Sequence, residues 1–159
     1  MSGVRVTHVL FDMDGLLLDT EGFYTIAQDK VFAPYPWCEY EQKKQILKEM
    51  MMGRKSLDAA KLVLDELKLT EHMTPQEFLD KRAVYLKDLL PQAELMPGAK
   101  KLLEHLHQHK VPCALATSSN RVHFKLKITK VVDLFNKGKD KGKEKRRERH
   151  LLFEPKTID

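Results

Sequence analysis

The polar and apolar positions of this chain follow two successive rhythms. From Val4 to Phe11 the sequence is rich in β-branched and apolar residues and reads as a strand, which stops abruptly at Asp12-Met13-Asp14-Gly15. From Glu21 the period becomes helical, with Phe23, Ile26, Ala27 and Val31 on one stripe up to Phe32. Pro34 and Pro36 then break the helix, because each lacks an N–H donor and restricts its predecessor. Residues 41–52 predict a second helix closed by Gly53. Ser56 is placed to cap a third, along which Leu57, Ala60, Val63, Leu64 and Leu67 recur at helical spacing. Thr74-Pro75-Gln76-Glu77 marks a fourth start, with a capping threonine, a proline at the first helical position and a glutamate at the third. That helix carries Phe78, Val84, Leu86 and Leu89 toward Pro91.

No strand is legible between residues 21 and 91, so this stretch predicts a helical cap inserted into an α/β core made of residues 1–20 and 92–135. Pro97-Gly98 opens another helix with Leu102, Leu103 and Leu106 inward, and Val111–Ala116 reads as a second buried strand. A strand, a long excursion, a helix and a strand imply a parallel pair joined by a crossover. Residues 121–135 are predicted helical, and residues 136–159 a basic, solvated tail, because 136–150 carry no apolar side chain.

Charge changes this picture little. Residues 136–150 hold eight Lys/Arg against three Asp/Glu, which equals the whole net charge of +5. The basic character therefore belongs to one segment, and without interleaved aromatics it argues against nucleic acid as the partner. Cys38 and Cys113 stand far apart with no metal-ligand spacing, which favours a reduced, cytoplasmic setting. No stretch reaches the roughly 18 apolar residues of a membrane span, and the N-terminal run is too short for a signal peptide.

The candidate chemistry sits where the first strand ends. Residues i and i+2 of a strand project to one face, so Asp12 and Asp14 begin on the same side, and Gly15 lets the chain turn beyond them. Two adjacent carboxylates repel unless a cation or a shared proton intervenes, and hard oxygen ligands at this spacing suit Mg²⁺ together with a substrate phosphate. N–H groups of the curling chain after Asp12 can bind phosphate oxygens. In the helical stretch, Arg54 and Lys55 follow Gly53 and could touch a phosphate or a polar ring, Arg54 being better suited to planar acceptors. His105 and His109 are four apart on a helix, but no third ligand accompanies them, so they read as a solvated face. Met50-Met51-Met52 reads as core.

The string Phe11-Asp12-Met13-Asp14-Gly15-Leu16-Leu17-Leu18-Asp19-Thr20 resembles the first motif of the haloacid dehalogenase-like hydrolases. The resemblance continues through Leu95-Met96-Pro97-Gly98-Ala99 and Ala114-Leu115-Ala116-Thr117-Ser118-Ser119, from about Val6 to about Phe135, and is strongest toward the pseudouridine-5′-phosphatase branch of that family. It implies a truncated Rossmann-like α/β core of parallel strands with an inserted helical cap. It also implies a Mg²⁺-dependent phosphatase acting through an aspartyl-phosphate on a small nucleotide or sugar phosphate, with pseudouridine 5′-phosphate as the candidate substrate, or a phosphomutase sharing the same nucleophile. By the same resemblance Asp12 attacks phosphorus, and Asp14 acts as acid and base while its main-chain carbonyl helps to hold Mg²⁺. Thr117 and the Ser118 N–H hold the phosphoryl group, and Asp19 and Thr20 form the hinge to the cap. The family's charge-screening lysine and its later acidic pair are not legible after Phe135: Asp140 and Glu144 are embedded in the charge run. The change of character there reads as a truncated or alternative C-terminus, which predicts an open sheet edge, a thin Mg²⁺ shell and, as an alternative function, a catalytically impaired binding form.

Overall fold

A computed structural model describes residues 7–132 of the chain. These divide into two compact units, one formed by residues up to Glu21 and from Leu89 onward, the other by Gly22–Asp88. The basic tail expected at residues 136–159 lies outside the described residues.

In the first unit, β1 (Val9–Phe11) and β4 (Cys113–Leu115) pair in parallel with Val9 opposite Cys113 and Phe11 opposite Leu115. This is the parallel pair that the apolar pattern implies. Flanking hydrogen bonds extend it: the Val9 N–H donates to Pro112 O at 2.9 Å and the Ala116 N–H to Phe11 O at 2.7 Å. A second pairing was not legible beforehand. β2 (Leu18–Asp19) lies antiparallel to β3 (Glu94–Leu95), where the chain leaves this unit and returns to it. Two residues per strand are too few to show a period of two in sequence, which explains the omission. A 3₁₀ turn (Leu90–Gln92) leads into β3, and α5 (Ala99–Gln108) connects β3 to β4. α6 (Arg121–Lys127) follows, capped by Asn120, whose side-chain oxygen accepts from the His123 N–H at 2.8 Å. The apolar core comprises Phe11, Met13, Leu17, Leu18, Ala99 and Leu115, with Leu103, Leu106, Phe124 and Ile128 packed against it. Leu102, expected inward, is exposed, because a two-stranded sheet covers only part of the α5 stripe.

The second unit is helical: α1 (Glu21–Phe32, whose first residue belongs to the other unit), α2 (Tyr40–Met51), α3 (Ser56–Glu66) and α4 (Pro75–Leu89, whose last residue likewise does). Its core includes Val31, Phe32, Leu47, Val63, Leu64 and Phe78, with Phe32 and Phe78 stacked at 5.3 Å. The Thr74–Glu77 start is a reciprocal capping box: the Thr74 N–H and Oγ1 donate to Glu77 Oε2, and the Glu77 N–H donates back to Thr74 Oγ1. Gly53 follows α2 with φ of 71°, a conformation that favours glycine. Some details differ from expectation. Ser56 is the first residue of α3 and not its cap; Lys55 takes that position without a side-chain hydrogen bond. Ile26, Leu57, Val84 and Met52 face solvent, since Ala27, Ala60, Leu86 and Met51 fill the adjacent inward positions of each stripe.

Candidate active site

The site is built where β1 and β4 end side by side. β1 finishes at Phe11, and beyond it burial alternates: Asp12 exposed, Met13 fully buried, Asp14 half-buried. The two acids therefore keep the strand-like alternation after the ladder stops. Gly15 takes φ of 73°, and the turn closes through Gly15 N–H to Leu18 O and Leu18 N–H to Met13 O, both at 2.9 Å. Burial of Met13, Leu17 and Leu18 anchors this turn to the core.

The Asp14 carboxylate is the hub. Its Oδ1 accepts from Thr20 Oγ1 at 2.5 Å and from Lys127 Nζ at 2.6 Å, while its Oδ2 accepts from Ser119 Oγ at 3.0 Å. Lys127 Nζ also donates to Ser119 Oγ at 2.7 Å, and the Ser119 N–H donates to Thr117 Oγ1 at 3.1 Å. Thr20, Thr117, Ser119 and Lys127 are all buried, Lys127 with 0% of its surface exposed. Three chain segments thus converge on one carboxylate, and no buried side-chain polar atom among the described residues lacks a partner.

Several expected residues fall here and several do not. Asp14, Thr20 and Thr117 belong to the network. Asp12 sits beside it at the strand end, and its Oδ1 accepts from the Met13 N–H at 2.7 Å. Ser118, expected to offer its N–H, is exposed, and the neighbouring Ser119 makes the bond to Asp14. Thr20 gives its hydroxyl to Asp14, whereas Asp19 pairs across the ladder with Glu94 and is exposed. Of the N–H groups after Asp12, those of Met13, Gly15, Leu17 and Leu18 are engaged inside the turn, leaving Asp14 and Leu16 as the ones not used there. Arg54 and Lys55 lie in the helical unit and are not among the residues converging on Asp14; Arg54 Nε donates to Met50 O at 2.8 Å. His105 and His109 have rings 4.2 Å apart, and no group of three or more potential metal-ligating side chains occurs among the described residues.

Lys127 and Ser119 were missed. The signal for Lys127 lay in its place on α6 and the turn that follows: Phe124, Lys127, Ile128 and Val131 share one stripe, so a single cation interrupts an apolar face. A buried lysine is rare unless paired, and the partner here is 113 residues away in sequence.

For Mg²⁺ the donor set fits in part. The exposed Asp12 carboxylate and the Asp14 main-chain oxygen are hard ligands of the kind Mg²⁺ takes, one or two from protein and the rest from water and phosphate. The Asp14 side chain does not fit as a further ligand, since both its oxygens are engaged and one faces an ammonium group.

Ligands of open α/β sheets gather outside the carboxyl ends of the strands, which is where this pair of acids and the hydroxyl-bearing segment of the neighbouring strand lie. The chain belongs to the haloacid dehalogenase-like hydrolases, whose family model matches residues 6–157. That match runs beyond the Phe135 limit expected from the motifs. The chain is similar to (DL)-glycerol-3-phosphatase 1, mitochondrial, of Arabidopsis thaliana, 44% identical over 82% of this chain and 43% of the relative. It is also similar to the "Probable pseudouridine-5'-phosphatase" of Drosophila melanogaster, 39% identical over 83% of this chain and 54% of the relative. The fold matches that of CbbY from Rhodobacter sphaeroides, solved in complex with phosphate, with a TM-score of 0.55 at 15% identity over 78% of this chain and 56% of that one. The chain spans about half the length of the curated relatives it matches. No described helix is long and apolar enough to cross a membrane.

Proposed function

We propose that the chain is a phosphomonoester hydrolase of small phosphorylated metabolites, working through an aspartyl-phosphate on Asp12. The carrying observation is the convergence of Asp12, Asp14, Thr117 and Ser119 at the adjoining ends of two parallel strands. An Asp12 oxygen attacks phosphorus as the bond from phosphorus to the leaving oxygen breaks, and Asp14 delivers a proton to that oxygen. Water then attacks the phosphoenzyme, Asp14 takes its proton, and inorganic phosphate leaves with Asp12 restored. The uncommitted N–H groups of the turn and the Thr117 hydroxyl face charge carried by the transferring group, which is where fixed donors lower the barrier most. Mg²⁺, held by Asp12 and the Asp14 main-chain oxygen, would neutralise phosphate charge when bound. A cytoplasmic setting fits this reading, with Arg54 and Lys55 as substrate contacts and Asp19 and Thr20 as the hinge.

The names of the relatives suggest the substrates to try: glycerol 3-phosphate and pseudouridine 5′-phosphate. Phosphate release is measured from each, with and without Mg²⁺, beside Asp12→Asn. The expected result is Mg²⁺-dependent release that falls about 10³-fold or more in the variant. Equal rates for both proteins would refute the reading. Release of an isomerised phosphate ester in place of inorganic phosphate would assign a phosphomutase, and phosphate binding without turnover the impaired binding form.

A further inference from the structure

We infer that Lys127 is a positioning residue for Asp14, fixing the carboxylate in the orientation from which it serves the leaving oxygen; this rests on the phosphohydrolase reading above. A carboxylate at a turn rotates about its side-chain torsions unless both oxygens are held. Here Thr20 and Ser119 supply neutral donors, one to each oxygen. Lys127 alone binds across both sides: its ammonium donates to Asp14 Oδ1 and to Ser119 Oγ, the group that donates to Oδ2. It thereby closes a ring of contacts through Asp14 Oδ1, Asp14 Oδ2 and Ser119 Oγ. The bond to a charged group is also the strongest member of the set.

The placement is deliberate in physical terms. A lysine gives up its hydration only for a partner, and Lys127 stands on the inward stripe of α6 between Phe124 and Ile128, where an apolar residue would pack without that cost. A purely structural role is thus the less economical explanation of its presence. Lys127 also differs from the lysine expected after Phe135. It arises on the helix directly after the Thr117–Ser119 segment, and its partner is Asp14.

The test separates positioning from general damage by choice of leaving group. Lys127→Met keeps the length and packing of the stem and removes the charge. An alkyl phosphate such as glycerol 3-phosphate needs a proton on its departing oxygen, whereas p-nitrophenyl phosphate does not. With Lys127→Met, kcat/KM on the alkyl phosphate, which reports phosphoryl transfer to Asp12 and not the later hydrolysis common to both esters, falls about 10²-fold, while kcat/KM on the p-nitrophenyl ester falls no more than about threefold. Equal losses on both esters would overturn the inference and leave the hydrolase reading standing. An unmodified chain with no turnover on either ester would overturn the reading and the inference together. Thermal unfolding supplies a second readout: Asp14→Asn lowers the Tm of the unmodified chain but changes that of the Lys127→Met chain little. Additive losses would also count against the pairing.

Discussion

Phe78 and Lys127 are both fully buried, one in each unit, and different physics buries them. Phe78 stacks on Phe32 inside an apolar cluster of eleven residues, and its burial is favourable wherever the neighbours are apolar. Lys127 is buried against a carboxylate and a hydroxyl, and its burial is tolerable only while those partners remain. Among the described residues the apolar cluster beside β1 and β4 has six buried members, and the strand that leads to the acids carries an exposed leucine, Leu10. The helical unit is therefore held by non-directional packing. The α/β unit places its carboxylate with directed polar contacts beside a smaller described apolar cluster. Packing survives conservative exchange of its parts; a polar network does not.

The largest expected effect falls on the packed side. Phe78→Ala removes a ring from a fully buried position and destabilises the helical unit by about 3–5 kcal/mol. The single tryptophan, Trp37, lies in that unit against Tyr35 and His72, so urea unfolding followed by its fluorescence reports the loss. Next comes Asp14→Asn, which leaves the Lys127 ammonium facing a neutral amide. Asp14 is partly open to water, so the cost is about 1–3 kcal/mol, smaller than for a sealed pair. It should appear in circular dichroism while the Trp37 transition stays in place. A Trp37 transition that moves as far for Asp14→Asn as for Phe78→Ala would erase the contrast.

The same contrast explains what the sequence made legible. The helical unit was readable because its signals are local. α1 spans Glu21–Phe32 as its stripe implies, and the Thr74–Glu77 box forms as its spacing implies. The parallel β1–β4 pair was readable because both strands are apolar runs bounded by polar residues. The β2–β3 ladder was not, since two residues carry no period. Of the residues at the strand ends, Asp12, Asp14 and Thr117 stand in motif strings that mark them in sequence. Lys127 and Ser119 were not, because their partners lie 113 and 105 residues away in sequence. Nothing in the local sequence tells a buried paired lysine from a solvated one, except its place on an apolar stripe.

A smaller effect tests the local end of the comparison. Thr74→Ala removes one half of the capping box and costs about 1 kcal/mol. The Thr74 backbone N–H, and then its hydroxyl, hold the Glu77 carboxyl below its ordinary value of 4.5. A carboxyl depressed by folding stabilises the native state above that value, and the contribution fades as pH falls through and below it. Glu77→Gln should therefore flatten this acid-side loss in a titration of unfolding free energy. Thr74→Ala should flatten it only in part, because the backbone donor persists. An unchanged acid slope in Glu77→Gln would show that the box contributes nothing in solution.

The smallest effect is expected at Leu10, and it bears most directly on how far apolar burial holds the α/β unit. Leu10 lies in β1 opposite Ala114, with 72% of its surface exposed. Threonine suits a strand as well as leucine does, and a side chain facing water loses little burial on exchange. Leu10→Thr should therefore shift unfolding by no more than about 0.5 kcal/mol, the scale of ordinary surface substitutions. A loss approaching that of Phe78→Ala would mean that the outer face of β1 is covered in solution. The α/β unit would then rest on apolar burial much as the helical unit does, and the Asp14 network would be an addition to that core instead of its substitute.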